Sequence, residues 1–296
     1  MKNFRSRRTT GAQIATDLGA HLIGDDSPVS GVGALPQDLS GKLAFSVSGD
    51  ADRLQEFEGS GVALLIIPKG ASFAPRVPHV RVGNPRLAYA KAAVRFGGRR
   101  APCPIGRLRR YWTYRGVQFG PGVVVEYGAK IGAGTIIYAN AVLRSCVDIG
   151  RDCIVKSGAV IGEDAFGFER DDESIPVHIP HFGRVVIGDA VEIGANAVIA
   201  RGTIGDTVIG SHVKLNDLCR IAHNVCIGSR TMCAGFVCGS VHIGKDCWIS
   251  PGASVRNKVT LGDETLVGLG GVVTESYPEG RVTLVGVPAK PYVKGL

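Results

Sequence analysis

The stretch FGPGVVVEYGAKIGAGTIIYANAVLRSCVDIGRDCIVKSGAVIGEDA, Phe119 to Ala165, decides the fold of this chain. Within it Phe119, Val125, Ile131, Ile137, Leu143, Ile149, Val155 and Ile161 follow one another at six-residue steps. Four places after each stands a more compact residue: Val123, Ala129, Thr135, Ala141, Val147, Cys153, Ala159 and Ala165. The rhythm returns at Ile187, Ile193 and Ile199, runs from Ile209 to Cys233, and runs again from Ile243 to Val273. A hexapeptide period is the signature of a parallel β-helix. The aliphatic at the first place fills a triangular prism, and the fifth place points inward with less room. Gly, Asn and Asp crowd the corners, where the backbone needs positive φ or local side-chain hydrogen bonds. Roughly twenty-one hexads make about seven coils at the spacing of hydrogen-bonded strands. The steps Ile199 to Ile209 and Cys233 to Ile243 span ten residues instead of twelve, which predicts two pinched coils.

Working outward, residues 1–98 read as a small α/β domain. Thr10 is a candidate N-cap for a helix through Leu18 closed by Gly19, and Pro85 opens a second helix through Phe96. Strands are expected at Val29–Val32, Ala44–Val47, Val62–Ile67 and His79–Val82. A basic linker, 99–116, leads to the β-helix domain, 117–285. A loop extruded at 166–184 interrupts that domain, and a cap or tail, 286–296, closes it. Insertions in repeat proteins usually fall on one face, often the binding face.

Charge is uneven. Residues 1–125 hold 18 Lys+Arg against 8 Asp+Glu, and the remainder holds 16 against 18. From Lys69 to Arg115 there are twelve basic residues and no acidic one. Such a tract is either a solvated face or a meeting place for phosphates or an acidic protein. No nucleic-acid motif accompanies it, so a nucleic-acid partner is not expected. No run of eighteen apolar residues exists and Met1 to Thr10 lack a signal-peptide core, so a cytoplasmic protein without a transmembrane segment is expected. The eight cysteines contain no C-x-x-C pair and read as small buried thiols.

Among seven histidines, His223 in Ile221-Ala222-His223-Asn224-Val225 is the third residue of a hexad. That places its imidazole at a corner outside the prism, where it suits either general-base work or plain solvation. His178 and His181 lie in the extruded loop, positioned to fold over a substrate; no third metal ligand is evident in the sequence, and no metal is expected. G-x-S-x-G, Walker and dinucleotide motifs are all missing, which leaves direct base-assisted transfer.

The segments SGAVIGEDAFGF, IPHFGRVVIGD, VEIGANAVIARGTIGDTVIG, RIAHNVCIG and CAGFVCGSVHIG, in that order, resemble the UDP-3-O-acylglucosamine N-acyltransferase family of lipid A biosynthesis. GKLAFSV and VRVGNPRLAYAKAA resemble that family's nucleotide-binding domain. The resemblance implies a mainly β fold, a left-handed parallel β-helix of hexapeptide repeats preceded by a small α/β domain. It implies a homotrimer with active sites between subunits. The implied reaction transfers an acyl group from a phosphopantetheine thioester of acyl carrier protein to the 2-amine of a UDP-linked glucosamine. No tightly bound cofactor is implied. His223 would be the general base, and a backbone N–H near Gly239 would hold the oxyanion. Phe45, Phe166, Phe168, His178, His181, Asn216, Asp217 and Asn224 would contact substrate.

The chain departs from the family pattern in several places. Ser48 and Ala51 stand where the family has a uracil-contacting Asn and a stacking Tyr. Asn216-Asp217 reverses the family's Asp-Asn, and His178 replaces a Lys. A second histidine expected near Asn257–Lys258 is missing. The sequence runs to Leu296 without the helices the family uses around its carrier protein, and its GVPAKP segment looks more like CoA-dependent sugar acetyltransferases. Two alternatives therefore stay open: an acyl-CoA-dependent N-acyltransferase of another nucleotide-linked amino sugar, and a non-catalytic trimeric β-helix scaffold.

Overall fold

Each hexad begins with a pair of extended residues, the second of which points into the prism. In the computed structural model, which describes residues 9–97 and 114–292, these pairs stack as parallel strands on three walls. The walls hold ten, eight and seven strands. The last strand of the first wall, Lys290–Pro291, is a short antiparallel addition to Thr283–Val285.

The first wall carries Phe119, Ile137, Val155, Ile193, Leu215, Cys233, Ile249, Val267 and Leu284 in register. The second carries Val125, Leu143, Ile161, Ile199, Ile221, Val237, Val255 and Val273. The third carries Ile131, Ile149, Ile187, Ile209, Ile227, Ile243 and Leu261. With few exceptions these side chains are buried in one continuous core. A coil buries its apolar edge only against its neighbours, so a cavity in a middle coil is felt by two interfaces. Replacing the fully buried Ile193 by Ala is expected to cost about 2–4 kcal/mol, read as a fall in the denaturant midpoint at unchanged slope.

The fourth place of the hexad is where the chain turns. Asn140, Asp152, Asn196, His212, Leu218, Asn224, Arg230, Ser240, Asp246, Lys258 and Glu264 all sit there with φ between 54° and 65°. Left-handed backbone is costly for most side chains. Its recurrence at one place, even at Leu218 and Arg230, shows that coil geometry overrides local preference.

Only one of the two ten-residue steps is a pinched coil. Cys233, Val237 and Ile243 lie on the first, second and third walls, so this stretch loses two residues between Cys233 and Val237. Ile199 and Ile209 lie on adjacent walls, the second and third. Their ten residues cross a single corner, which is therefore enlarged by four residues, Thr203 to Asp206. First-place residues alone cannot distinguish the two cases, because a missing and a surplus stretch leave the same interval. The prism also has about eight coils rather than about seven, since Val237 and Leu284 fall outside the six-residue count.

The contacts divide the chain into two units: Ala101–Ala165 with Gly183–Leu296, and Met1–Arg100 with Phe166–Phe182. In the second of these a four-stranded parallel sheet is built from Gly31–Val32, Lys42–Phe45, Leu64–Pro68 and His79–Val82. Helix α1, Gly11–Asp17, starts with a reciprocal cap: Gln13 N–H donates to Thr10 Oγ1, and Thr10 N–H donates to Gln13 Oε1. Helix α2, Ala51–Gln55, is an addition to the expected elements, and helix α3 spans Pro85–Gly97. The strand expected at Ala44–Val47 ends at Phe45 because the Ser46 hydroxyl donates to the Ser48 carbonyl, 2.8 Å away, and closes a turn. Phe168–Arg170 and Pro176–His178 form an antiparallel hairpin, joined to α3 by an Arg86–Glu169 ion pair at 3.8 Å.

Residues 98–113 and 293–296 lie outside the described residues. Most of the linker expected at 99–116, the arginines from Arg99 to Arg110, and the end of the 286–296 tail fall there. Among the described residues no helix is long and apolar enough to cross a membrane.

Candidate active site

One corner of the prism, between the second and third walls, gathers the main irregularities of the repeat. The chain departs there after Val160–Glu163 and returns at Val185–Ile187. The enlarged corner follows it, and the next coil places His223 there, between Ile221 and Ile227. The coil after that places Gly239, between Val237 and Ile243.

His223 is half-buried, with its imidazole outside the apolar core. Its Nδ1 lies 3.0 Å from Asn224 Oδ1 and 3.4 Å from Thr203 Oγ1. The orientation of the Asn224 amide is set independently by two backbone groups. Its Oδ1 accepts from Thr203 N–H at 3.0 Å, and its Nδ2 donates to the Gly205 carbonyl at 2.7 Å. A flipped amide would set donor against donor and acceptor against acceptor. Oδ1 therefore faces the imidazole, Nδ1 carries the hydrogen, and Nε2 of neutral His223 carries a lone pair.

That lone pair stands over Gly239. A Cβ built on Gly239 would lie 2.4 Å from Nε2, closer than any real contact, so only glycine admits the ring in this pose. Gly239 is buried, at the third place of its hexad. The enlarged corner is drawn tight on the other side: a Cβ on Gly202 would fall 1.7 Å from the Gly205 carbonyl oxygen.

The remaining candidates lie elsewhere. Asn216 and Asp217 are exposed at the corner between the first and second walls, and Asp217 Oδ1 accepts from Ala195 N–H at 2.7 Å. Asn216 borders a concavity of about 330 Å³ on the first wall, shared with Lys156, Glu192, Lys214, Met232 and Trp248. Phe166, Phe168, His178 and His181 make a run of ring contacts, with centroids 5.0, 5.4 and 6.0 Å apart. Phe45 is half-buried at the end of its strand, with its ring 4.7 Å from that of the buried Tyr89. Ser48 donates to Asp50 at 2.7 Å. Cys153, Cys219 and Cys247 are buried. Burial pushes the Cys153 and Cys247 thiols up; for Cys219 the hydrogen bond with Cys233 does so first and burial second. Nothing in the sequence points to Thr203, because the period does not mark a residue of an enlarged corner as a neighbour of His223.

Residues 128–163 match the family model described as bacterial transferase hexapeptide (six repeats). A UDP-3-O-acylglucosamine N-acyltransferase of Coxiella burnetii is 35% identical over 249 residues, covering 75% of this chain and 72% of the relative. The chain belongs to that family. A member from Cupriavidus pinatubonensis is 33% identical over 311 residues, covering 92% of this chain and 86% of the relative. The solved structure of LpxA from Acinetobacter baumannii has a TM-score of 0.53 at 24% identity, covering 60% of this chain and 67% of that one, and shares the fold. Family membership makes the chain an N-acyltransferase of the hexapeptide-repeat class and sets aside the non-catalytic scaffold.

Proposed function

We propose that this N-acyltransferase moves an acyl group from the phosphopantetheine thioester of acyl carrier protein to the 2-amine of a UDP-linked, 3-O-acylated glucosamine in lipid A synthesis. The observation that carries the reading is His223 Nε2 standing over the backbone of Gly239, with Nδ1 turned to Asn224 Oδ1. As the amine nitrogen attacks the thioester carbonyl, Nε2 takes the amine proton and the Gly239 N–H receives the developing oxyanion. The intermediate collapses with cleavage of the C–S bond, and the imidazolium returns its proton to the leaving sulfur. A homotrimer, with Asn216 and Asp217 of a neighbouring copy brought to the His223 corner, would complete the substrate pocket. Phe45 would stack on the nucleotide base, and Phe166, Phe168, His178 and His181 would contact the substrate.

The donor decides between this reading and an acyl-CoA-dependent one. Incubated with a UDP-3-O-acylglucosamine and matched acyl groups on either carrier, the protein is expected to prefer the carrier-protein thioester by at least about tenfold in kcat/KM. A difference of that size corresponds to about 1.4 kcal/mol of transition-state binding contributed by the carrier protein. Turnover with short acyl-CoA alone would sink the lipid A assignment and leave the reaction type standing.

A further inference from the structure

We propose that Thr203, supplied by the enlarged corner, is a positioning residue that tunes the basicity of His223. This rests on the reading of His223 as general base. Thr203 is one of the four residues by which this corner exceeds the regular hexad, and it meets the site twice. Its N–H donates to Asn224 Oδ1 at 3.0 Å, and its Oγ1 lies 3.4 Å from His223 Nδ1. The Nδ1–H is thus shared between Asn224 Oδ1, the shorter branch, and Thr203 Oγ1, the longer one.

The consequence follows from what changes during transfer. When Nε2 accepts the proton, Nδ1–H becomes a stronger donor, and an acceptor already in place stabilises the imidazolium more than the neutral ring. Asn224 Oδ1 alone serves two donors at once, the Thr203 N–H and Nδ1–H. The Thr203 hydroxyl adds an acceptor that costs no reorganisation, because the corner carrying it is held by Asn224 Nδ2 on Gly205 and by Arg184 N–H on Asp206 Oδ1, at 2.8 Å. The other titratable or charged groups on the elements packed against this corner include Glu163, Arg184, Arg201 and Asp206, Arg220 before His223 and Cys226 after it, His242 on the strand paired with Cys226, Cys238 beside Gly239, and Arg256 and Lys258 one coil beyond. Exchanging Thr203 alters none of them.

Thr203→Val keeps the shape and the backbone N–H but removes the hydroxyl. It is expected to lower kcat about fivefold, the effect of one hydrogen bond, with both KM values unchanged. The rising limb of the kcat/KM profile should move to lower pH, because the imidazolium loses an acceptor. Thr203→Ser should restore both. Independently of activity, the ring resonances of His223 in histidine-labelled protein should report Nδ1–H in wild type and in Thr203→Val, since Asn224 still accepts. Their titration midpoint should fall in the same direction. Thr203→Ala, read by the same titration, serves if the valine variant does not fold. An unmoved midpoint, or a serine variant as impaired as valine, would overturn the proposal, as would a change confined to KM. If the protein transfers no acyl group at all, the proposed function fails, and the ring titration still decides the role of Thr203.

Discussion

His223→Ala is expected to reduce kcat/KM by about 10³-fold, with the folded protein intact. The size follows from the chemistry. A neutral amine can attack a thioester, but the attack places a positive charge on nitrogen that must be discharged before the C–S bond can break productively. A base held at the right distance removes that proton as it becomes acidic, and water at the same corner does so far less well. The fold should tolerate the change because the imidazole lies outside the core, and its removal leaves the Asn224 anchors to Thr203 and Gly205 in place. Thermal unfolding is expected to shift by a few degrees at most. Added imidazole should return part of the lost rate in the alanine variant, since the vacated corner is open to solvent. Activity equal to wild type in His223→Ala, with either carrier as donor, would remove the general-base reading.

Much of this site is legible in the sequence, for a physical reason that also sets its limit. A solenoid writes its inward-facing residues as a period, so the walls, the corner position of His223 and the loop extruded at 166–184 can be read directly. The same period places His223 and Asp217 on different corners. It does not say which corner the Ile199–Ile209 step enlarges, because that depends on strand register. It therefore hides the contact between Thr203 and His223, twenty residues apart. Gly239 is named through resemblance, but the reason for its glycine appears only in the 2.4 Å approach of Nε2. In the α/β unit, local chemistry serves well at the Thr10 cap and less well at Phe45, where the hydroxyl of the next residue, Ser46, closes the strand short of its expected end.

Gly239→Ala separates geometry from acidity and is expected to cost about 10²-fold or more in kcat, even though it leaves every titrating group in place. The new Cβ would arrive 2.4 Å from Nε2, 2.6 Å from Cε1 and 3.0 Å from Cδ2 of His223, so the ring itself must yield. It cannot yield by sliding along its own plane without leaving Asn224 Oδ1, which holds Nδ1 at 3.0 Å. The displaced imidazole would no longer present its lone pair at the Gly239 N–H, where nucleophile and oxyanion have to meet. Because His223 and Gly239 act on one transition state, their losses should not add: the double variant His223→Ala, Gly239→Ala is expected to be little worse than His223→Ala alone. Removing the ring also relieves the clash, so the double variant should fold at least as stably as Gly239→Ala, a comparison that unfolding midpoints can make. Losses that multiply in the double variant would mean that Gly239 contributes through something other than the pose of His223. A Gly239→Ala variant with full kcat would mean that the ring works from a different position.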